Sequence, residues 1–316
     1  MSVSRDAALA TPAHTPLFIL STLGGLSIVG PGGATTGLAP RRRALALLTL
    51  AASSPKDGIS RDQAMGLLWP ELDAANARNN LKQTVFAIRH TLGVDVLDHA
   101  TPNLRLDLQR IAVDLHHFER ALAVGAHDDA VADYTGPFLD GFFLPNLVEF
   151  ERWVERVRQR LALGYARALE SLAVKARLGG DLAAAVHWYR RLVAHDPLST
   201  TSVLGLVSTL TEASEPLEAL ECYRAHRKLV REEFDAEPDR KLVTAAERVR
   251  QRLSYRPSGP TQLKLEADGQ LPTLPPIFAE PERTTRRTSG PAAAPESSAP
   301  SVRNMLSRWL PHGRQS

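Results

Sequence analysis

The feature that most constrains this chain is a repeat in its second half. The segment DLAAAVHWYR, which begins at Asp181, is matched by EPLEALECYR, which begins 34 residues later at Glu215. Both copies carry small residues where paired helices approach closely and a tyrosine, Tyr189 or Tyr223, where they interlock. This period and pattern are typical of tetratricopeptide repeats, whose helix pairs stack into an array that normally binds protein. The sequence therefore predicts an all-α repeat domain without chemistry of its own.

Helical patterning extends from residue 114 to residue 254, and Asp114 is predicted to cap its first helix. A long amphipathic segment from about 148 to 178 carries one apolar stripe, made of Trp153, Val157, Leu161, Tyr165 and Leu169. Residues 255–316 are rich in Pro, Ser, Thr and Ala and cannot bury enough apolar surface to fold, so we predict a disordered tail. Residues 1–15 lack a pattern and are predicted to be a flexible N-terminus.

Residues 16–113 predict a smaller domain of a different architecture. Short apolar runs and glycine-rich turns between residues 17 and 38 predict a small antiparallel sheet. Three helical segments follow: one opened by Pro40 with Leu45, Leu48 and Ala52 on its buried face, one capped by Ser60, and one from Asp73 to Gly93. Alternating residues up to Leu108 then predict a hairpin. This order predicts a winged helix with an added N-terminal sheet, in which the third helix enters the DNA major groove.

The third helical segment, DAANARNNLKQTVFAIRHTLG, has two distinct faces. One narrow apolar stripe recurs at helical spacing and consists of Leu81, Val85, Ile88 and Leu92. Amides, cations and an aromatic ring occupy the rest of its surface. Asn and Gln can pair with adenine, and Lys and Arg can reach guanine or phosphate. Polar helix faces are more often simply solvated, so the DNA interpretation depends on the neighbouring elements.

Composition limits the classes of function. The chain has 38 Lys and Arg against 35 Asp and Glu, and its sequence pI is about 9.2, which permits nucleic-acid binding without demonstrating it. The lone Cys222 excludes an internal disulfide and fits a reducing compartment. No apolar run is long enough to span a membrane, and the N-terminal segment lacks the flanks of a signal peptide. We therefore predict a cytoplasmic protein with no membrane association.

Catalytic motifs are missing from the sequence. The patterns GxSxG, HExxH, GxGxxG and DxDxDG do not occur, and GPGG at Gly30–Gly33 lacks the rest of a phosphate-binding loop. The adjacent His116 and His117 would point about 100° apart on a helix, which is poor geometry for a metal. We therefore predict that the protein is not an enzyme and that it has no catalytic residue, metal ligand or cofactor.

Taken in order, these segments resemble the bacterial transcriptional activators of the antibiotic-regulatory type. That family joins an OmpR-like winged helix to a helical, tetratricopeptide-like bacterial transcriptional activator domain. The matching stretches are LAPRRRALALLTLAA, ISRDQAMGLLWPE, ARNNLKQTVFAIRHTLG, VDLHHFERAL, GPFLDGF, ERWVERVRQRL, AVHWYRRLVAHDPL and LECYRAHRKLVREEFDAEPDRKL. The resemblance implies a mainly α fold, with a winged helix-turn-helix, small β-sheet and wing at 16–113 and an all-α repeat domain at 114–254.

The resemblance also implies a function and its residues. It implies a sequence-specific DNA-binding transcriptional regulator, an activator rather than a repressor, whose repeat domain contacts RNA polymerase or itself. Double-stranded DNA is the expected partner, bound at promoter repeats by a homodimer. The DNA-facing role falls on Arg78, Asn79, Lys82, Gln83, Phe86, Arg89 and His90, with wing support from Asn103 and Arg105. Arg41, Arg42 and Arg43 either contact phosphates or form a solvated helix start.

One departure from the family keeps an alternative open. Family members often end the third helix with several arginines, whereas this chain has FAIRH at residues 86–90. Fewer cations imply weaker phosphate attraction or a reliance on dimerisation. The alternative is a non-DNA-binding helical-repeat adaptor whose winged helix binds protein, although the polar face with Asn79, Lys82 and Gln83 argues against it.

Overall fold

The computed structural model describes residues 16–31, 33–34, 38, 41–54, 58–98 and 102–254. The strands are β1 Phe18–Ser21, β2 Ser27–Gly30, β3 Gly33–Ala34, β4 Ile59–Ser60, β5 Leu97–Asp98, β6 Asn103–Leu106 and β7 Ile111–Val113. The helices are α1 Arg42–Ala52, α2 Arg61–Leu68, α3 Ala74–Leu92, α4 Asp114–Val124, α5 His127–Asp133, α6 Val148–Leu178, α7 Leu182–His195, α8 Thr200–Glu212, α9 Pro216–Phe234 and α10 Arg240–Ser254. None of these helices combines the length and the apolar character needed to cross a bilayer. The predicted N-terminal segment 1–15 and tail 255–316 lie outside the described residues.

The N-terminal sheet has four strands in the order β3-β2-β1-β7. Strands β1 to β3 pair antiparallel, as predicted. The prediction missed β7, which pairs parallel to β1 and sets Phe18 opposite Ile111 and Leu20 opposite Val113. A three-residue strand so far along the chain has no local signature, because its pairing depends on tertiary contacts. Strand β7 returns the chain to the first sheet just before the helical part, which runs from helix α4 through helix α10.

Helix α1 corrects the prediction of a single buried face. Every residue from Ala44 to Ala52 is buried, because α2, α3 and β6 all pack against the helix. Helix α2 follows its prediction, since the Ser60 hydroxyl accepts a hydrogen bond from the Gln63 amide at 3.1 Å and the helix ends just before the buried Trp69. The segment from β1 to β7, here called the winged-helix part, is therefore organised around α1.

Helix α3 has the predicted bounds and the predicted stripe. The Asp73 carboxylate accepts hydrogen bonds from the first-turn amides, and Gly93 ends the helix in the left-handed conformation at φ 71°. Leu81, Ile88 and Leu92 are buried and Val85 is half-buried, so one side faces the core. The remaining surface of the helix is left toward solvent.

The predicted hairpin forms from β5 and β6, which pair antiparallel with Leu97 opposite Leu106. Its second strand ends at Leu106 rather than at the predicted Leu108, whose side chain is 46% exposed. The chain turns there because the Arg110 amide donates to the Asp107 carbonyl. The two-residue β4 pairs with the other side of β6 and completes a three-stranded sheet.

The helical part contains the predicted repeat as two helix pairs, α7 with α8 and α9 with α10. Ala185 and Ala219 occupy equivalent positions and are both fully buried, as are the interlocking tyrosines of the two copies. The α8 residue Gly205 leaves room for the first of these rings, since a β-carbon there would approach the Tyr189 ring carbons closely. On α6, the predicted stripe is buried apart from a half-buried Trp153.

Asp114 corrects a second prediction, because it does not cap α4 from outside the helix. Helix α4 begins at Asp114, whose buried carboxylate accepts hydrogen bonds from the Thr22 amide and hydroxyl at 2.7 Å and from the Leu23 amide at 2.8 Å. Burial raises the pKa of this carboxyl group, and the hydrogen bonds oppose the rise. The residue at the predicted domain boundary therefore attaches the N-terminal sheet to the helical part. The division at residue 113 stays a prediction.

Candidate nucleic-acid interface

The outer face of α3 is the candidate interface. Its seven predicted DNA-facing side chains are all exposed: Arg78, Asn79, Lys82, Gln83, Phe86, Arg89 and His90. The helix contains no Asp or Glu between Ala74 and Leu92, so no acid within it neutralises its cations. The aligned peptide dipoles place the positive end of the helix at its N-terminus, near Arg78. This face suits an anionic partner.

The polar side chains of α3 divide into two groups. Asn76 donates to the Asp73 carboxylate at 2.7 Å and Asn80 donates to the Asn76 carbonyl at 3.0 Å, so both amides are used within the helix. In the part of the chain that the structure describes, Asn79, Lys82 and Gln83 have no internal hydrogen bond or ion pair. These three side chains remain available to an external partner.

The C-terminal half of the face carries an exposed aromatic pair. Phe86 is 69% exposed, and its ring stacks on the His90 imidazole with centroids 6.0 Å apart. The adjacent Arg89 lies 3.7 Å from the Asp95 carboxylate in an exposed ion pair, which holds the side chain only weakly. The face therefore offers an apolar contact next to its amides, and thymine methyl groups can supply the matching surface in a DNA groove.

The three arginines at the start of α1 have different environments. Arg42 donates to the Phe143 carbonyl at 2.9 Å and its guanidinium lies 4.7 Å from the Phe142 ring centroid, so the helical part engages it. Arg43 pairs with Glu71 at 3.0 Å. Arg41 is exposed and has no acidic partner among the described residues. The sequence does not distinguish the three arginines, because Phe143 lies 101 positions away from Arg42 in the chain.

A cleft of about 470 Å³ connects Arg41 to α3. Asn80, Gln83 and Thr84 line it on the α3 side, and the first turn of α1 lines it on the other. No acidic residue occurs in that first turn, whose backbone amides carry partial positive charge. Asn80 and Thr84 are not among the predicted DNA-facing residues, although their positions on the flank of α3 next to its polar face are a signal for them.

The wing residues are less available than those of α3. Asn103 and Arg105 are half-buried, and Arg105 lies opposite Asp98 in the β5–β6 pair. The Arg105 stem packs over Gly58, where a β-carbon would approach its Cγ closely. Acidic side chains, among them Asp95 and Asp107, line the groove beside this strand. The local charge of the wing is therefore mixed.

The side chains of His116, His117 and Cys222 make contacts within the fold that do not indicate a reactive site. His117 Nδ1 contacts the Asp133 carboxylate, and His116 Nε2 lies 2.5 Å from the Ala52 carbonyl oxygen. Burial raises the pKa of the Cys222 thiol to about 11, so this side chain is a poor nucleophile. Within the described ranges, no group of three His, Cys, Asp or Glu side chains is placed to hold a metal ion.

Residues 105–250, which hold β7 and most of the helical part, match the family model of the bacterial transcriptional activator domain. The helical part is thus similar to a domain of transcription regulators. The match covers a little under half of the chain and begins within the wing. It supports the predicted resemblance to bacterial transcriptional activators.

Among solved structures, the chain is similar to Mycobacterium tuberculosis EmbR, solved in complex with a low affinity phosphopeptide. The TM-score is 0.55 and the sequence identity 20%, over 75% of this chain and 65% of the EmbR chain. This likeness confirms the predicted fold class, mainly α with a small N-terminal sheet and a helical repeat domain. No curated protein sequence matches the chain.

Proposed function

We propose that this protein is a transcriptional activator that binds double-stranded DNA sequence-specifically through α3. The observation that carries the proposal is the acid-free outer face of α3, where Asn79, Lys82 and Gln83 are exposed and have no partner among the described residues. Some exposed arginines elsewhere on this protein pair with acids, as Arg227 does with Glu237. The domain match independently supports a role in transcription.

In the proposed complex, α3 lies in the major groove. The Asn79 and Gln83 amides pair with adenine edges, while Lys82 reaches guanine or a phosphate and Phe86 contacts a thymine methyl group. Arg41 and the first-turn amides of α1 bind a flanking phosphate, since the cleft between them and α3 is open. The wing, with Asn103 and Arg105, lies along the backbone and contributes less.

The helical part supplies the partner contacts of the proposed activator. Its repeat pairs present the kind of stacked surface that binds protein, and RNA polymerase or a second copy of this chain is the proposed partner. Direct repeats in a promoter would then be bound by a dimer. Arg42 and Asp114 hold the winged-helix part against the helical part, so a partner bound to one would restrict the orientation of the other.

A second candidate is the non-DNA-binding adaptor, and the exposed Phe86 favours it. A large apolar ring on a helix face can bind protein as well as thymine. The two candidates differ in their response to salt. DNA binding releases counterions, so its affinity falls linearly with salt on a logarithmic scale, whereas an apolar protein contact changes little.

Selection of genomic fragments by the purified full chain tests the proposal. The test variant replaces Asn79, Lys82 and Gln83 together with alanine. The matched control replaces Arg248, Gln251 and Arg252 of α10, which are also exposed, with alanine. The control removes two cations and the test variant only one, so a loss confined to the test variant cannot come from total charge.

We expect the wild type and the α10 control to enrich fragments that share a repeated motif, and the α3 variant to enrich none. Equal enrichment by all three proteins would exclude direct reading by α3. A wild-type protein that enriches no fragment even at low salt would exclude the DNA-binding proposal and favour the adaptor.

A further inference from the structure

A second cleft, here called the tyrosine cleft, lies in the helical part and is separate from the α3 face. Its volume is about 310 Å³, near the lower end of the size of small-molecule sites. The segment Thr135–Pro137, which follows α5, forms one wall, and Arg191, Ala194 and His195 of α7 form the other. The proposed DNA-binding function uses none of these residues.

Two stacked tyrosines form the floor of the tyrosine cleft. The rings of Tyr134 and Tyr165 lie 4.3 Å apart between centroids with an interplanar angle of 16°. His195 meets the Tyr165 ring edge-on at 5.0 Å, and its Nε2 lies 3.2 Å from the Ala162 carbonyl oxygen. The stacked rings cover one face of each other, and both tyrosines are buried, so they give the cleft a rigid aromatic lining rather than an open plane.

Arg191 supplies the charge of the cleft and has no counterion in the part of the chain that the structure describes. Four arginines of the helical part are half-buried: Arg158, Arg177, Arg191 and Arg227. The other three lie within ion-pair distance of a glutamate. Within the described residues Arg191 has no acidic partner; it donates to the Tyr165 hydroxyl at 2.8 Å and lies beside the Trp188 ring. Most of its five N–H donors remain free, and a carboxylate complements them in a bidentate arrangement.

The wall of the tyrosine cleft also contacts the winged-helix part. The Thr135 hydroxyl donates to the Leu23 carbonyl, and the Gly24 amide donates to the Pro137 carbonyl at 3.0 Å. The chains approach so closely that a β-carbon at Gly136 would lie 2.8 Å from the Gly24 Cα. A ligand pressing on this wall therefore acts directly on the turn that follows β1.

We propose that the tyrosine cleft binds a small carboxylate with an apolar body, in which Arg191 binds the carboxylate and the aromatic lining contacts the apolar part. The site itself stands on the geometry of the cleft. Its consequence, a change in DNA affinity transmitted through Thr135–Pro137 and Gly24, rests on the proposed DNA-binding function. The ligand class follows from a guanidinium without an acidic partner among the described residues, placed beside an aromatic lining.

Benzoate is the probe, and benzamide is its neutral counterpart of the same shape. Binding to the full chain is measured without DNA, by ligand-observed NMR and titration calorimetry. The test variant is Arg191→Gln. Its control is Arg190→Gln, which removes the neighbouring exposed arginine that pairs with Glu218. A second variant, Tyr165→Phe, keeps the ring and removes only the hydroxyl that Arg191 contacts.

We expect wild type and Arg190→Gln to bind benzoate equally, with benzamide weaker by about tenfold, since the charge-assisted hydrogen bonds are lost. Arg191→Gln should lose about tenfold or more in benzoate affinity, and Tyr165→Phe a smaller factor. Equal affinity in Arg191→Gln and wild type, or no saturable benzoate binding by wild type, would overturn the site. If Arg191→Gln does not fold, unchanged binding by Tyr165→Phe together with benzamide equal to benzoate would overturn it instead.

The DNA measurement separates the two proposals. Benzoate binding by a chain that binds no DNA would retain the site and exclude its regulatory role. A chain that binds DNA with the same affinity in the presence and absence of saturating benzoate would exclude the coupling through Gly24 alone.

Discussion

Helices α3 and α9 have the same length, 19 residues, but they differ in whether their cations are accompanied by acids. Helix α9 carries four glutamates and four Lys or Arg residues, whereas α3 carries three Lys or Arg residues and no acid. Five of these eight charges form ion pairs, among them those of Arg190–Glu218, Lys228–Glu232 and Arg227–Glu237. On α3 only Arg89 has an acidic neighbour within the described residues. Helix α9 therefore carries charges of both signs that partly neutralise one another, whereas the cations of α3 have almost no acidic partner among the described residues.

The buried faces of the two helices should contribute similarly to stability, and truncating one buried leucine in each helix tests this. Leu81→Ala in α3 and Leu220→Ala in α9 each remove a buried side chain and leave a cavity. We expect each to lower the free energy of unfolding by about 3 kcal/mol. Urea denaturation of the full chain measures both. A loss below about 1 kcal/mol at one site alone would show that the two parts differ in their cores as well.

Reversing one charge on the outer face of α3 and one on that of α9 should change DNA affinity by different amounts. Lys82→Glu places a carboxylate where a phosphate or base is proposed to lie, so we expect DNA affinity to fall by about a hundredfold. Lys228→Glu on α9 makes the same chemical change on a paired, exposed surface and should leave the affinity nearly unchanged. Fluorescence anisotropy with a selected DNA fragment measures both. Equal losses would mean that DNA responds to total charge and not to α3.

The apolar contact offers a smaller effect with a close control. Phe86 on α3 is 69% exposed and Leu217 on α9 is 68% exposed. We expect Phe86→Ala to weaken DNA binding by about tenfold, concentrated at thymine positions, because each specific contact contributes about 1–3 kcal/mol. Leu217→Ala should not change DNA affinity, and neither variant should change stability appreciably. Weakening that is the same for every sequence would place Phe86 outside base reading.

The smallest effect concerns the exposed ion pairs beside α9. Hydrogen bonds and charge from Arg227 and Arg231 lower the pKa of Glu237. A lowered pKa in the folded state means that the carboxylate stabilises the fold above the pKa of the unfolded chain, and that this contribution disappears as pH falls through the folded value. Glu237→Gln should therefore be slightly less stable than wild type at neutral pH, and the difference should vanish in acid. A difference that grows toward acid pH would contradict this linkage.

Local signals account for what the sequence predicted correctly. Helix α3 begins after Asp73 and ends at Gly93, Ser60 caps α2, and the spaced tyrosines mark the repeats. Each of these signals depends only on residues a few positions away in the chain. The exposed face of α3 follows from the same periodicity. Its role in DNA binding stays a prediction.

Long-range pairing accounts for what the sequence missed. Strands β4 and β7 have two and three residues, and their existence depends on partners elsewhere in the chain. Arg42 finds the Phe143 carbonyl across 101 positions, so its neighbouring arginines gave no hint that it differs from them. The tyrosine cleft likewise combines α6, α7 and the segment after α5, which no single periodic pattern contains.

The hydrogen bonds of the Asp114 carboxylate determine where the chain can be truncated without losing contacts of the N-terminal sheet. A fragment that stops at residue 113 keeps every strand and helix of the winged-helix part, yet it removes the acceptor of the Thr22 and Leu23 amides. A fragment that stops after α4 keeps that acceptor but still lacks the Leu139 amide, which donates to the Thr22 carbonyl. The smallest segment that can be expressed alone or exchanged with a related gene, with these bonds intact, therefore runs through residue 139.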